Sequence, residues 1–271
     1  MKRLFVLALV WIGALVWLMP LIGALAVSLR TNEDLVSRGF WSVPEKLTLA
    51  NYIRAWEQAG VSQYLKNSFL ITIPAIAGIL FFSSMAAYGL VRFRMRFGKG
   101  LYYLFIAGML LPFQMLMLPV FELANKLHLY DTLWGLILFH ISFELGFGVF
   151  ILRNFMRTIP QSLFDSAMVD GASEWVMYRK ISLPLTLPAL AALATLEFTW
   201  IFNDYFWALV LVRRDALKPV TTGLSTLMGR YATEWPVVVS GGILAAIPTL
   251  VVFLLLQRYF IGGLTLGATK G

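Results

Sequence analysis

Apolar runs of about 20 residues or more recur along this chain, near 4–29, 65–91, 101–120, 133–152, 185–211 and 237–260. Each is long enough to cross roughly 30 Å of hydrocarbon as a helix. Runs of this length and apolarity read as membrane-spanning helices. The expected fold class is therefore all-α, a polytopic membrane protein with six transmembrane helices.

Composition agrees and removes several function classes. Hydrophobic residues make up 59% of the 271 residues and charged residues 13%, with a mean hydropathy of +0.78. That leaves too little polar side chain to cover a soluble globule. The formal net charge of +8 raises nucleic acid as a partner, but the basic residues lie in short runs between apolar stretches, with no basic recognition element. The chain has no cysteine and only His128 and His140, so neither a thiolate nor a histidine-rich metal centre is expected. No nucleophile–base pair or metal cluster stands out as an enzyme's machinery.

The chain opens Met1-Lys2-Arg3 and runs into the apolar stretch 4–29, which contains an Ala24-Leu25-Ala26 resembling a signal-peptidase site. The stretch is about twice a signal h-region, so it is read as a retained first span. Lys2 and Arg3 precede that span, and Arg92, Arg94, Arg96 and Lys99 crowd the connection after the second. Retention of positive residues in the cytoplasm then puts both termini on that side. Arg213, Arg214 and Lys218 in the last external loop weaken the bias. The longest external stretch, about 30–64, carries Trp41, Pro44, Tyr52 and Trp56 and reads as short interfacial helices.

The longest cytoplasmic stretch, 153–182, holds an amphipathic element at 160–184. Pro160 suits a first helical position; Leu163, Phe164, Ala167 and Met168 form one apolar stripe, and Gly171 supplies the stop. A second short helix is expected to begin after Ser173 as N-cap, with Glu174 in its first turn, Trp175 and Tyr178 on one face, and Arg179 and Lys180 at its end. On physical grounds this knob either lies on lipid headgroups or fits a groove on a partner.

The run Asp165-Ser166-Ala167, three residues, Gly171, nine residues, Ile181-Ser182-Leu183-Pro184 resembles the EAA signature (Glu-Ala-Ala-x3-Gly-x9-Ile-x-Leu-Pro) of binding-protein-dependent ABC importer permeases. Asp165 stands in place of Glu and Ser166 in place of Ala. Asn67-Ser68, Ala86-Ala87-Tyr88 with Arg92, Leu111-Pro112, Leu118-Pro119 and Tyr130-Asp131-Thr132 resemble the carbohydrate-type branch. So do Gln257-Arg258-Tyr259-Phe260, Gly263-Leu264-Thr265 and Thr269-Lys270-Gly271 at the end. The chain is similar in this to the smaller permease subunit of maltose-type and glycerol-phosphate-type importers.

That resemblance implies a type I importer permease fold with a core near 61–261, in the inner membrane of a prokaryote. The knob becomes a coupling helix, with Asp165, Ser166, Ala167, Asp170, Gly171 and Ala172 as the contact with a cytoplasmic ATPase, and the carboxy-terminal tail reaches towards the ATPase dimer. The implied partners are a second permease subunit, two cytoplasmic ATP-binding subunits and an extracytoplasmic solute-binding protein. ATP and Mg belong to the ATPase, with no cofactor and no catalysis in this chain. The nearest approach to a phosphate loop, Gly262-x4-Gly267, is followed by Ala268 in place of Lys, sits in a tail without a following helix, and carries no mechanism.

Within the spans, Glu144, Glu197 and Asp204 are costly enough to invite a role. Trp200, Asn203, Asp204 and Trp207 cluster polar and aromatic groups at helical spacing, a combination suited to a sugar's hydroxyls and ring face. They read either as lining of the solute path or as interhelical packing, because polar groups also hold membrane helices together. The competing class is a stand-alone secondary transporter or channel, for which intramembrane carboxylates would be central and a docking knob superfluous.

Overall fold

In the computed structural model, described at residues 2–93, 95–230 and 234–268, the chain is helical with no strand among those residues. Arg94 of the basic connection and the closing Thr269, Lys270 and Gly271 lie outside the described residues. In chain order the helices are α1 (Lys2–Ser28), α2 (Asn32–Arg38), α3 (Ala50–Ile53), α4 (Val61–Arg92), α5 (Gly98–Met109), α6 (Met117–Lys126), α7 (Leu133–Met156), α8 (Gln161–Val169), α9 (Glu174–Met177), α10 (Leu183–Phe202), α11 (Phe206–Leu211), α12 (Val220–Arg230) and α13 (Trp235–Ala268).

Among the described residues five helical stretches are each long and apolar enough to cross a membrane: Arg3–Ser28, Val61–Arg92, Leu133–Met156, Glu174–Phe202 and Trp235–Gln257. The expected third span is not one straight helix. α5 stops at Met109, a 3₁₀ turn covers Phe113–Leu116, and α6 leaves at 93° to α5. Pro112 holds ψ at 115°, which turns the chain out of the helical region, and a proline also denies the α-region to the residue before it. The sixth span exists only if this bent pair is counted as one.

Two more boundaries differ from the expected ones. The short helix after Gly171 does not stand alone: α9 passes through a π turn at Tyr178–Ser182 directly into α10, so the fifth span begins at Glu174. That span also ends early, at Phe202, with a break before α11. α13 carries its helix to Ala268, so the glycines at 262 and 267 sit on a helix and not in a loop.

The chain divides into two compact units. One comprises Met1–Leu65 and Val220–Pro248. Its α1 is apolar on all sides and buries none of its most apolar stretch, as expected of a helix whose solvent is lipid or another protein. After α1 the chain is tied down by Arg30, which is fully buried. Arg30 Nε donates to Asp34 Oδ2 at 2.6 Å, Nη1 to the carbonyls of Gly39, Phe40 and Ser42, and Nη2 to Ser42 Oγ at 2.6 Å and the Asp34 carbonyl. The adjoining Asp34 carboxyl is held below its ordinary value of 3.8, first by that hydrogen bond. Asn51 Nδ2 donates to the carbonyls of Ser28 and Arg30, anchoring α3 to the end of α1. The expected short helices of this loop are α2, α3 and a π turn at Arg54–Gln58. Arg54 pairs with Glu234 at 2.6 Å, which lowers the Glu234 carboxyl below its ordinary value.

The other unit comprises Lys66–Pro219 and Thr249–Gly271. Near the start of α4 and of α7, Ile71, Ala75, Ile79, Leu136 and Ile137 pack with Ile201, Trp207 and Leu211. Towards the other ends of α4 and α7, Ala87, Tyr88, Leu152 and Met156 pack with Phe164, Met177, Tyr178, Ala189 and Leu193. The helices approach closely between the two clusters: a Cβ on Gly148 would lie 2.7 Å from the Ser83 Cβ, so α4 and α7 meet through small residues. Two basic residues of the loop after α11 are locally neutralised. Arg214 Nε donates to Asp131 Oδ2 at 2.7 Å, and Lys218 pairs with Asp215 at 3.3 Å. Burial pushes the Asp131 carboxyl up, but the N–H groups of Arg214 and Arg213 and the Arg214 guanidinium outweigh it, and the net shift is downward.

Candidate functional site

The element at 160–184 is built from its end backwards. Gly171 has φ of +78°, the left-handed conformation that ends a helix without a Cβ penalty. The Gly171 N–H donates to the Met168 carbonyl at 3.0 Å and the Ala172 N–H to the Ala167 carbonyl at 2.9 Å, the pair of bonds that defines a Schellman cap. Ala167 and Ala172 both pack against the cluster around Tyr88 and Leu152, supplying the apolar contact that accompanies such a cap. A Cβ on Gly171 would meet nothing within 4 Å, so the constraint there is backbone conformation and not space. The spacing from Ala167 to Gly171 thus has a local physical reason. Pro160 sits one residue before the helix, at its N-cap.

Phe164 is the residue of the stripe that is buried; its ring lies 6.3 Å from that of Tyr88, and the Arg92 guanidinium stands 5.5 Å above it. Leu163 and Met168 are exposed, and so, at 88%, is Val169. Asp165 and Ser166 are also exposed: Gln161 Nε2 donates to Asp165 Oδ1 at 3.0 Å and Ser166 Oγ to the Ser162 carbonyl at 3.0 Å. Asp170 is exposed beside the cap, and Trp175, 51% exposed, extends the apolar surface past Gly171. Ser162, Asp165, Ser166 and Val169 therefore make the outer face, Leu163 and Met168 flank the buried stripe on its two sides, and the inner face is locked to α4, α7 and α10.

Sequence reasoning placed Glu174 in a favourable first turn and missed its main work. Its Oε2 accepts from the Tyr88 hydroxyl at 2.7 Å and from Arg92 Nε at 3.2 Å, and its Oε1 pairs with Arg92 Nη2 at 3.2 Å. Tyr178 adds a hydroxyl bond to Ser84 at 2.7 Å. The carboxy-terminal end of α4 is therefore joined to the start of the fifth span, and Ser173 caps that start by accepting from the Val176 N–H. The π turn that follows keeps α9 and α10 in one continuous helical stretch, Glu174–Phe202. The N-cap role of Ser173 was legible in the sequence; the tie of Glu174 to residues 88 and 92 was not.

The four aromatic and polar residues near 200–207 are not brought together on one helix. Trp200 is 46% exposed and packs against Phe147, with ring centroids 5.0 Å apart. Trp207 is buried against Phe139 at 4.0 Å, across the break between α10 and α11. Asp204 Oδ1 accepts from the Trp207 N–H at 3.2 Å and Oδ2 from the Ala208 N–H at 3.0 Å, capping the amino end of α11. Exposed Asn203 donates to the Thr199 carbonyl at 2.7 Å and reaches Thr249 Oγ1 at 3.4 Å. Trp200 and Asn203 thus remain on open surface, whereas Asp204 and Trp207 build the bend. Glu197 is fully buried, with no hydrogen-bond partner to its carboxylate among the described residues, so it lines no surface.

Comparison with known proteins adds three findings. A family model described as "Binding-protein-dependent transport system inner membrane component" matches residues 78–265. Among curated relatives, a probable ABC transporter permease protein of Pyrococcus horikoshii is 33% identical over 94% of this chain and 93% of its own. The arabinooligosaccharides transport system permease protein AraQ of Halalkalibacterium halodurans is 34% identical over 95% of this chain and 93% of its own. A chain in the crystal structure of a bacterial ABC transporter involved in import of the acidic polysaccharide alginate superposes with a TM-score of 0.84 at 25% identity, covering 96% of this chain and 97% of that one. A chain in another crystal structure, of a bacterial alginate ABC transporter in complex with an alginate pentasaccharide-bound periplasmic protein, shares the fold at a TM-score of 0.69 and 16% identity, covering 95% of this chain and 94% of that one.

Proposed function

We propose that this chain, which belongs to the family of binding-protein-dependent transport system inner membrane components, is a permease subunit of an ATP-driven importer and forms half of the path for a sugar or sugar-like solute. The observation that carries the reading is the capped α8 element, with exposed Asp165, Ser166 and Val169 on its outer face, Leu163 and Met168 exposed on its flanks, and its inner side keyed through Phe164 and Glu174 to three spans. A surface patch of that kind on a rigid knob suits a groove on a partner protein. The partner is a cytoplasmic ATPase that holds ATP and Mg, one copy serving this chain and another serving a second permease subunit. An extracytoplasmic solute-binding protein delivers the cargo, and both termini of this chain lie in the cytoplasm.

Coupling follows from rigidity. If nucleotide binding draws the two ATPase subunits together, each carries a seated knob with it. Because α9, the π turn and α10 are one rod, the knob's displacement becomes a rotation of the fifth span. The ATPase biases the switch only by the difference in its affinity for the two permease states, typically about 1–3 kcal/mol. Asp165, Ser166, Asp170 and the exposed apolar side chains make the contact; Ala167, Gly171 and Ala172 shape it. Trp200 and Asn203 are the part of the candidate solute path with open surface.

The test is co-purification of the full chain with its cytoplasmic partners, comparing Val169→Asp and Leu163→Asp with the wild type. Both positions are exposed, so folding should be unchanged while the ATPase is lost. Solute uptake by this polypeptide alone in liposomes, driven by an ion gradient, would overturn the importer reading.

A further inference from the structure

Beside α8 a cleft of about 430 Å³ opens between the ends of α4 and α7, the start of α8 and the π turn before α10. Arg92, Arg153 and Arg157 line it, together with Tyr88, Gln161 and Ser182. Arg92 is matched by Glu174, but among the described residues no carboxylate pairs with Arg153 or Arg157. Those two stand four residues apart, a spacing at which like charges repel. Arg153 is held over the Tyr102 ring at 3.8 Å, which fixes its guanidinium plane, and its Nε is buried without a partner among the described residues.

Ser182 is the second residue of the lining with an unpaired buried polar atom. It is 1% exposed, and its hydroxyl also has no partner among the described residues. Nearby buried hydroxyls satisfy themselves on their own helix: Thr186 donates to the Ser182 carbonyl and Ser83 to the Ile79 carbonyl. Leaving a buried hydroxyl unpaired costs about 1–3 kcal/mol. A ligand for this cleft must therefore bring acceptors and negative charge. A phosphate group does both, and guanidinium forks match its oxygens in pairs. A neutral sugar supplies no charge.

We propose that this cleft binds a phosphate group through Arg153, Arg157 and Ser182, with Arg92 and Gln161 at its rim. The group comes either from an anionic phospholipid headgroup, for which basic pockets between spans are natural sites, or from soluble phosphate. Bound there it bridges α7 to the base of α8 and stiffens the seat of the knob. The site does not depend on which solute is carried, or on the importer reading.

The experiment is native mass spectrometry of the delipidated full chain in detergent. It is titrated with phosphatidylglycerol and with phosphatidylcholine of the same acyl chains, and a parallel arm adds inorganic phosphate alone. Phosphatidylglycerol should bind several-fold more tightly than phosphatidylcholine. Arg157→Gln, at an exposed position, should reduce that preference about fivefold, and Arg153→Gln by a similar factor. Arg157→Lys should restore part of it, which a folding defect would not. Displacement of phosphatidylglycerol by inorganic phosphate assigns a soluble source; retention of the lipid assigns the headgroup. Equal binding of the two lipids with no phosphate binding overturns the site. So does a preference that survives the double Arg153→Gln, Arg157→Gln variant.

Discussion

Two arginine-centred regions of this protein solve the same problem in opposite ways. Around Arg30, in the unit that contains α1, every nitrogen of the guanidinium is engaged by Asp34, Ser42 or loop carbonyls, and the side chain is fully buried. Around Arg92, in the unit that contains α8, one guanidinium is paired with Glu174 while Arg153 and Arg157 beside it have no carboxylate among the described residues. The first is a closed knot with nothing left to bind. The second is open, next to an element with exposed apolar side chains. Saturated polar networks hold loops in one shape, and unsaturated ones wait for a ligand or partner.

The comparison is broken most severely by Arg30→Leu. Losing a buried cation that holds Asp34 and three loop carbonyls should destabilise its unit by about 3 kcal/mol or more, read as a fall in thermal unfolding temperature of the purified chain. The same knot can be loosened by acid. The Asp34 carboxyl lies below its ordinary 3.8 in the folded protein, so its contribution is fully present above about pH 4 and is lost as pH falls further towards the folded value. Proteolysis of the segment 39–46 should then accelerate below about pH 4 and not between pH 6 and 8.

Glu174→Ala tests the open region. It removes the acceptor for Tyr88 and Arg92, but the carboxylate is 40% exposed, so the cost should be only about 1 kcal/mol. Its larger effect should fall on coupling, measured as solute-stimulated ATPase activity of the assembled transporter. Gly171→Ala should cost about 1 kcal/mol through the left-handed φ alone, since the added methyl meets no neighbour. Of the same order, and opposite in target, Val169→Asp should leave unfolding unchanged and remove ATPase binding. If Glu174→Ala instead destabilised the protein as strongly as Arg30→Leu, the distinction between a closed and an open network would fail.

The fold was legible to the extent that it depends on local composition. Apolar length identified every stretch that becomes a spanning helix, and the spacing from Asp165 to Pro184 identified the family and the place of the capped helix. The misses share one cause. Pro20, Pro74, Pro188 and Pro248 lie inside continuous helices, yet at Pro112 the chain turns by 93°, so the residue type alone could not mark the break. Asp204 looked like a polar group on the face of a span and proved to cap α11, because its carboxylate found the N–H groups of residues three and four positions ahead.

What the sequence determined by itself is the solvent, the all-helical class and the place of the knob. Each follows from short-range sums: apolar area per turn, a glycine at a helix end, and charge beside a span. Only the tertiary structure decided which charges are used. Glu174 meets Tyr88 from 86 positions away, Arg214 meets Asp131 from 83, and Arg153 meets no carboxylate among the described residues. Pairing depends on which helix ends the packed core brings within about 3 Å, and no periodicity along the chain encodes that.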